Sequence, residues 1–405
     1  MSARLDQVRA LWLAKQGLAG PPSADVAAVV RDAGWLPSPG GQGAYLALRA
    51  RRPDLDRAGI DRAVFLERAL VEVPGPRGVA MLVPADDAAL ALRATRPSEE
   101  ARSARVMEVE GLEGAEIERL SAAVHAALAG GPLGADELRA ALPAGLVRSL
   151  GAAGKSLGDA TTLPIALRRL QVAGEVRRTS ATGRLDAGRY VYARFEPNPL
   201  AGAAAGGDLT AALGARFFAW AGPATTRDFA FWAGLSQTAA KAAMATLPLV
   251  RVEVPDLAGE LWVLAADAPS LQQAEPALAR VALVPFRDNH IAFRRDLAPL
   301  VDPTFFGRTA AAGAPAADLL GDTGALHHHV VLAGGRIAGV WEYDPAAGRI
   351  VWGARAKLSA AERKAIAVEV EATGTFVRED LGGVRFYALD SEKNRAKRLA
   401  AVTAP

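Results

Sequence analysis

Apolar residues recur at helical spacing in residues 4–16, where Leu5, Val8, Leu11 and Trp12 share one face, and the pattern returns in 23–34, 42–51 and 56–66. Ser23 reads as the N-cap of the second stretch. Trp35 to Gly41, with Pro37, Pro39, Gly40 and Gly41, reads as a loop. The period then shortens: Leu70 to Val73 and Val79 to Val83 predict two strands around Pro74-Gly75-Pro76-Arg77-Gly78. Helices closed by a β-hairpin follow the plan of a winged helix. A second copy has helices at Ala115 to Ala129 and Ala135 to Ala141 and a recognition helix at Asp159 to Val172. Its strands are Glu175 to Thr179 and Arg189 to Phe195.

The third copy is the clearest. Gly222 to Met244 reads as two short helices joined by a turn at Gly234, with Ser236 as N-cap of the second. Phe229, Trp232 and Leu235 face inward, while Ser236, Gln237 and Lys241 offer groups that hydrogen-bond to phosphates or base edges. Arg227 and Asp228 read as positioning residues at the start of the first helix, where the helix dipole favours an acidic side chain. Leu249 to Val254 and Glu260 to Ala265 supply the hairpin. Beyond residue 277 the chain is strand-rich. Val330 to Ala333 and Arg336 to Trp341 flank Gly334-Gly335, predicting a two-residue turn, and one helix covers Ser359 to Ala372. The fold expected is α+β: three tandem winged-helix domains (1–110, 111–197, 208–270), a C-terminal β-barrel-like domain (277–390) and a basic tail (391–405). Residues 197–207 form a linker.

Composition narrows the partners. The chain has 405 residues, 51% hydrophobic and 22% charged, enough apolar content for several cores. A net charge of +3 places any nucleic-acid affinity in local patches. Without cysteine there is no disulfide, thiolate nucleophile or zinc ribbon. The N-terminus carries charges where a signal peptide needs apolar residues, and no apolar run approaches the roughly 18 residues of a membrane span. These features predict a cytoplasmic protein, bacterial by its abundance of Ala, Gly and Arg.

Four segments, Gly43 to Arg51, Gly222 to Gly234, Val281 to Phe286 and Val331 to Trp341, resemble the tandem winged-helix DNA glycosylases, the AlkZ/YcaQ-like crosslink-repair family, in the family's own order. The resemblance implies duplex DNA, possibly damaged, as the partner, with no small-molecule cofactor and no membrane. It also marks a departure. The family's Gln-any-Gln or Gln-any-Asp catalytic triplet precedes the helix matching Tyr45 to Arg51, and that place holds Pro37-Ser38-Pro39. Opening a glycosidic bond needs a side-chain oxygen to orient water and stabilise positive charge on the sugar, and proline supplies none. The family's Arg-Gly-Thr-any-His pattern is reduced to Arg77-Gly78-Val79-Ala80-Met81.

A shifted alignment makes Gln42 the replacement catalytic candidate, with Ser38 and Tyr45 beside it; otherwise Gln42 is a solvent-facing residue early in a helix. Arg168, Arg169, Arg177, Arg178, Arg184 and Arg189 make the second wing the strongest DNA-gripping candidate. Arg77, Ser236, Gln237 and Lys241 extend the predicted DNA surface. His327-His328-His329 alternate across a strand and put at most two ligands together, so no metal is expected. Gly154-Lys155-Ser156 imitates a phosphate loop, but position 149 is Ser and the segment reads as a linker. Three functions follow: a DNA-binding protein of glycosylase-like fold without the standard motif, an active glycosylase excising alkylated or crosslinked purines through replacement residues, or a winged-helix regulator or scaffold.

Overall fold

The predicted hairpins form with their expected partners. In the computed structural model, which describes residues 1–202, 207–255, 257, 259–276, 280–308, 320, 326–387 and 390–403, Leu70–Pro74 pairs antiparallel with Ala80–Pro84. The two-residue strand Leu36–Pro37 adds to the far edge of that pair, within the segment expected to be loop. Val176–Ser180 pairs with Tyr190–Arg194 and Leu249–Val252 with Leu261–Leu264. Thr226–Ala233 and Gln237–Ala245 form the helix pair before the last hairpin, joined by Gly234 in the left-handed region (φ 70°) and capped by the Ser236 hydroxyl.

Several boundaries differ from expectation. Asp25, not Ser23, caps Val26–Ala33, accepting from the Ala28 N–H. The helix expected from Asp159 begins at Leu163, because Asp159 is occupied as the partner of Arg168 and Pro164 suits a first turn. Residues 152–156 form a short helix in place of a linker. Ala88–Glu110 is a 23-residue helix that the hydrophobic pattern did not reveal.

The C-terminal sheet is open rather than barrel-like among the described residues. Its order is Arg349–Ala354, Arg336–Asp344, His329–Ala333, Val281–Val284, antiparallel throughout. The reason is burial on both faces. Ala282, Val284, Val330 and Leu332 join the cluster built with Val8, Leu11 and Trp12. Val281, Leu283, Val331 and Ala333 join Tyr45, Leu48, Ile366 and Phe376 on the other side. A sheet covered by helices on both faces has no apolar surface to hide by closing on itself. A third core is aromatic: Trp35, Trp220 and Trp232 pack ring to ring at 5.5 to 5.8 Å beside Phe217 and Phe293. These tryptophans are packing residues. No helix among the described residues is long and apolar enough to cross a membrane.

Candidate nucleic-acid interface

Pro37 lies opposite Met81 in the sheet, and the Ser38 N–H donates to the Ala80 carbonyl at 2.8 Å. This pairing extends the hairpin edge and turns the Ser38 hydroxyl toward Glu72, to which it donates at 2.7 Å. Glu72 is the one charged residue in its strand and also accepts from Arg178 Nε at 2.7 Å. The Arg178 guanidinium lies 3.9 Å from the centre of the Tyr190 ring. A cleft of about 140 Å³ opens beside Glu72, Arg177, Arg178 and Tyr192, well short of the roughly 300 Å³ at which small-molecule pockets begin.

Gln42 and Tyr45 meet in a neighbouring network. Gln42 is 5% exposed, so it is not solvent-facing. Its Nε2 donates to Asp186 at 2.8 Å, and its Oε1 accepts from the Arg385 N–H at 2.7 Å. Gly41 permits this approach: its φ is 74°, and a Cβ there would collide with the Arg385 carbonyl. Tyr45 donates to Asp61 and accepts from the Leu185 N–H at 2.8 Å. Arg57 pairs with Asp61 at 2.6 Å, and Arg184 reaches both Asp186 oxygens at 2.7 Å. Burial raises the Tyr45 pKa, and the Asp61 hydrogen bond and charge add to it. Burial also lifts Asp61, against the hydrogen bonds of Tyr45 and Arg57. Burial works the same way on Asp186, but hydrogen bonds from Arg184 and Gln42 outweigh it and hold that carboxylate below its ordinary pKa. The arrangement ties the 181–189 loop, the Gly43–Arg51 helix and the backbone at Arg385 together. Gln42 has both ends of its amide engaged in that tie.

The predicted cations divide. Arg168 grips Asp159 with bonds of 2.8 and 2.7 Å and nears Glu99. Arg178 and Arg184 are paired as described, and Arg169 reaches Glu118 at 3.0 Å from an exposed position. Arg177 is partly buried with its guanidinium 5.9 Å from the Phe195 ring centre. Arg189, Ser236, Gln237 and Lys241 are exposed, the last three on one short helix. Arg77 is exposed and lies 4.1 Å over Phe231. Sequence reasoning missed Glu72, Asp61, Asp186 and Arg385. Only Glu72 carried a signal, as the polar position in an apolar strand. The other three acquire roles through contacts across 16 to 343 residues of chain.

His329 begins its strand with Nδ1 accepting from the Phe286 N–H and its ring stacked on Trp341 at 4.3 Å. Among the described residues no three His, Asp or Glu side chains converge as a metal site.

The model of the family described as "DNA glycosylase AlkZ-like" matches residues 30–376. No curated protein sequence matches. Among solved structures the fold is similar to that of Streptomyces sahachiroi DNA glycosylase AlkZ, with a TM-score of 0.67 at 19% identity, covering 95% of this chain and 98% of that one.

Proposed function

Because this chain belongs to the AlkZ-like DNA glycosylase family, we propose that it is a duplex-DNA-binding protein of tandem winged-helix, glycosylase-like architecture that binds without the family's usual base-excision chemistry. The three helix-and-hairpin units act as the winged helices in this reading, and Gln237 and Lys241 face the duplex from the helix capped by Ser236. One observation carries the non-catalytic part. Where the resemblance would put the catalytic amides, this chain has Pro37, paired in a strand, and Ser38, whose hydroxyl is committed to Glu72. Losing one well-placed transition-state hydrogen bond costs about 2.7–4 kcal/mol, two to three decades of rate. Gln42 does not compensate, since its amide already bonds Asp186 and Arg385.

A second reading has one observation in its favour. Glu72 sets a carboxylate beside Ser38 on the cleft, and a carboxylate there can orient water and face a developing cation. One experiment separates the two: incubate the protein with duplex carrying an N7-alkylpurine or a crosslink and detect abasic sites. Retention of the duplex with no abasic sites is expected. Rapid excision that Glu72→Gln abolishes would establish the second reading.

A further inference from the structure

Three arginines from two distant segments gather beside the exposed Phe231 and beside Phe286, their guanidiniums without an ion pair among the described residues. Arg77 sits in the turn between Leu70–Pro74 and Ala80–Pro84, and Arg287 and Arg295 flank the short helix Asn289–Ala292. The guanidiniums of Arg77 and Arg295 lie over the Phe231 ring at 4.1 and 4.0 Å, and Arg287 lies 5.0 Å from Phe286. Phe231 is 36% exposed. None of the three guanidiniums has an acidic partner among the described residues. Burial lowers the Arg77 pKa, and the positive charges of Arg287 and Arg295 push it further the same way.

The cluster is built rather than accidental. Arg77 and Arg287 both hold φ near +60°, 62° and 63°, a conformation unfavourable for a bulky residue. The stem of Arg77 occupies the space above Gly234, where a Cβ would come within 2.9 Å of its Cγ. Arg295 is held by its backbone, its N–H donating to Asp228 Oδ1 at 2.7 Å while Asp228 Oδ2 caps Thr225. Asp228 thus serves the backbone and leaves the Arg295 charge unanswered. Like charges held together at an aromatic surface gain most from an anion that accepts several N–H bonds at once, which is the geometry of a phosphate.

We propose that Arg77, Arg287 and Arg295 form a phosphate clamp beside Phe231 and Phe286 that grips a phosphodiester of duplex DNA. The clamp rests on the DNA-binding reading, and its position beside the Gly234 turn sets it next to the helix that carries Gln237 and Lys241.

The test uses the full chain, a fluorescent duplex of about 20 base pairs and a salt series, with the triple variant R77A/R287A/R295A beside the wild type. The clamp predicts at least tenfold weaker binding by the variant and a log–log salt slope shallower by about one to two, at about 0.9 per phosphate contact. Its melting temperature should stay within a few degrees of the wild type, since no ion pair is lost and the relieved repulsion offsets the lost ring contacts of the three guanidiniums. Inorganic pyrophosphate should raise the melting temperature of the wild type and not of the variant. Equal duplex affinity and slope in the two proteins would overturn the clamp while leaving DNA binding in place. A wild type that ignores duplex would overturn the DNA-binding reading. If pyrophosphate still stabilised that protein through these arginines, the site would belong to a free phosphate and the duplex assignment would fall.

Discussion

The second hairpin and the surface around Phe231 both concentrate arginine, yet they differ in what the charge faces. On the hairpin and the helix behind it, Arg168, Arg178 and Arg184 each lie 2.5 to 2.7 Å from a carboxylate. Near Phe231, Arg77 and Arg295 lie over its ring and Arg287 over that of Phe286, with no carboxylate ion-paired to any of the three among the described residues. A local count of arginines therefore misplaces the field. Paired arginines hold the fold together, and unpaired ones project potential into solvent where a phosphate can meet it. The comparison also explains how a chain of net charge +3 can present a basic surface: its acids are gathered where they neutralise other arginines.

The largest expected effect tests the structural side. Arg168→Ala leaves Asp159, 1% exposed, without its partner and should cost about 3–5 kcal/mol in urea unfolding. Duplex affinity per folded molecule should be unchanged, and a shallower salt slope would return Arg168 to the interface. Gln42→Ala removes the tie between Asp186 and the Arg385 N–H and should cost about 1–3 kcal/mol with the salt slope intact. A stable Gln42→Ala protein that had lost an excision activity present in the wild type would make Gln42 a catalyst after all.

Acidification probes the segment that carries Arg287 and Arg295. His290 lies between them, its pKa held to about 3 by burial first and by the Arg294 charge second, and burial keeps His329 low as well. Between about 6.5 and that lower value the unfolded chain binds more protons than the folded one, so stability is complete above about pH 6.5 and falls as pH drops. Each histidine contributes a slope of up to about 1.4 kcal/mol per pH unit in urea titrations, and His290→Gln should flatten the profile. The smallest effect sharpens the other side: Lys241→Ala should leave stability within about 0.5 kcal/mol and reduce the salt slope by about one if Lys241 meets a phosphate.

The elements legible from sequence were those whose signals are local. Ser236 and Gly234 mark the two ends of a turn through their own chemistry, and the alternation around Gly334-Gly335 sets the Ala333 to Arg336 register without outside help. The helix Ala88–Glu110 escaped because it carries Pro97 and a mixed face of Ala, Arg and Glu with no apolar stripe. Ser23 reads locally as the cap, and only the structure shows it turned to Asp32 at 2.8 Å while Asp25 takes the capping bond. The candidate site was less legible. Gln42 was visible as the nearest amide, but its partners lie 144 and 343 residues away. Arg287 and Arg295 carried no local mark at all, because their meaning comes from the rings of Phe286 and Phe231 and from neighbouring acids that are committed elsewhere, Asp288 to Arg51 and Asp228 to backbone N–H groups.

The union of distant segments also sets a schedule for synthesis. Ala3 and Val402 belong to one hydrophobic cluster, and the amino group of Met1 bonds the Arg251 carbonyl at 2.9 Å. A ribosome adding roughly 5–20 residues per second would take roughly 20–80 s to pass from Ala3 to Val402, and that cluster cannot close until the last of its members has emerged. The Leu5–Lys15 helix, made well before its partners at 252–402, thus waits with its apolar face uncovered, and the nascent chain has longer need of a chaperone than a string of independently folding units would.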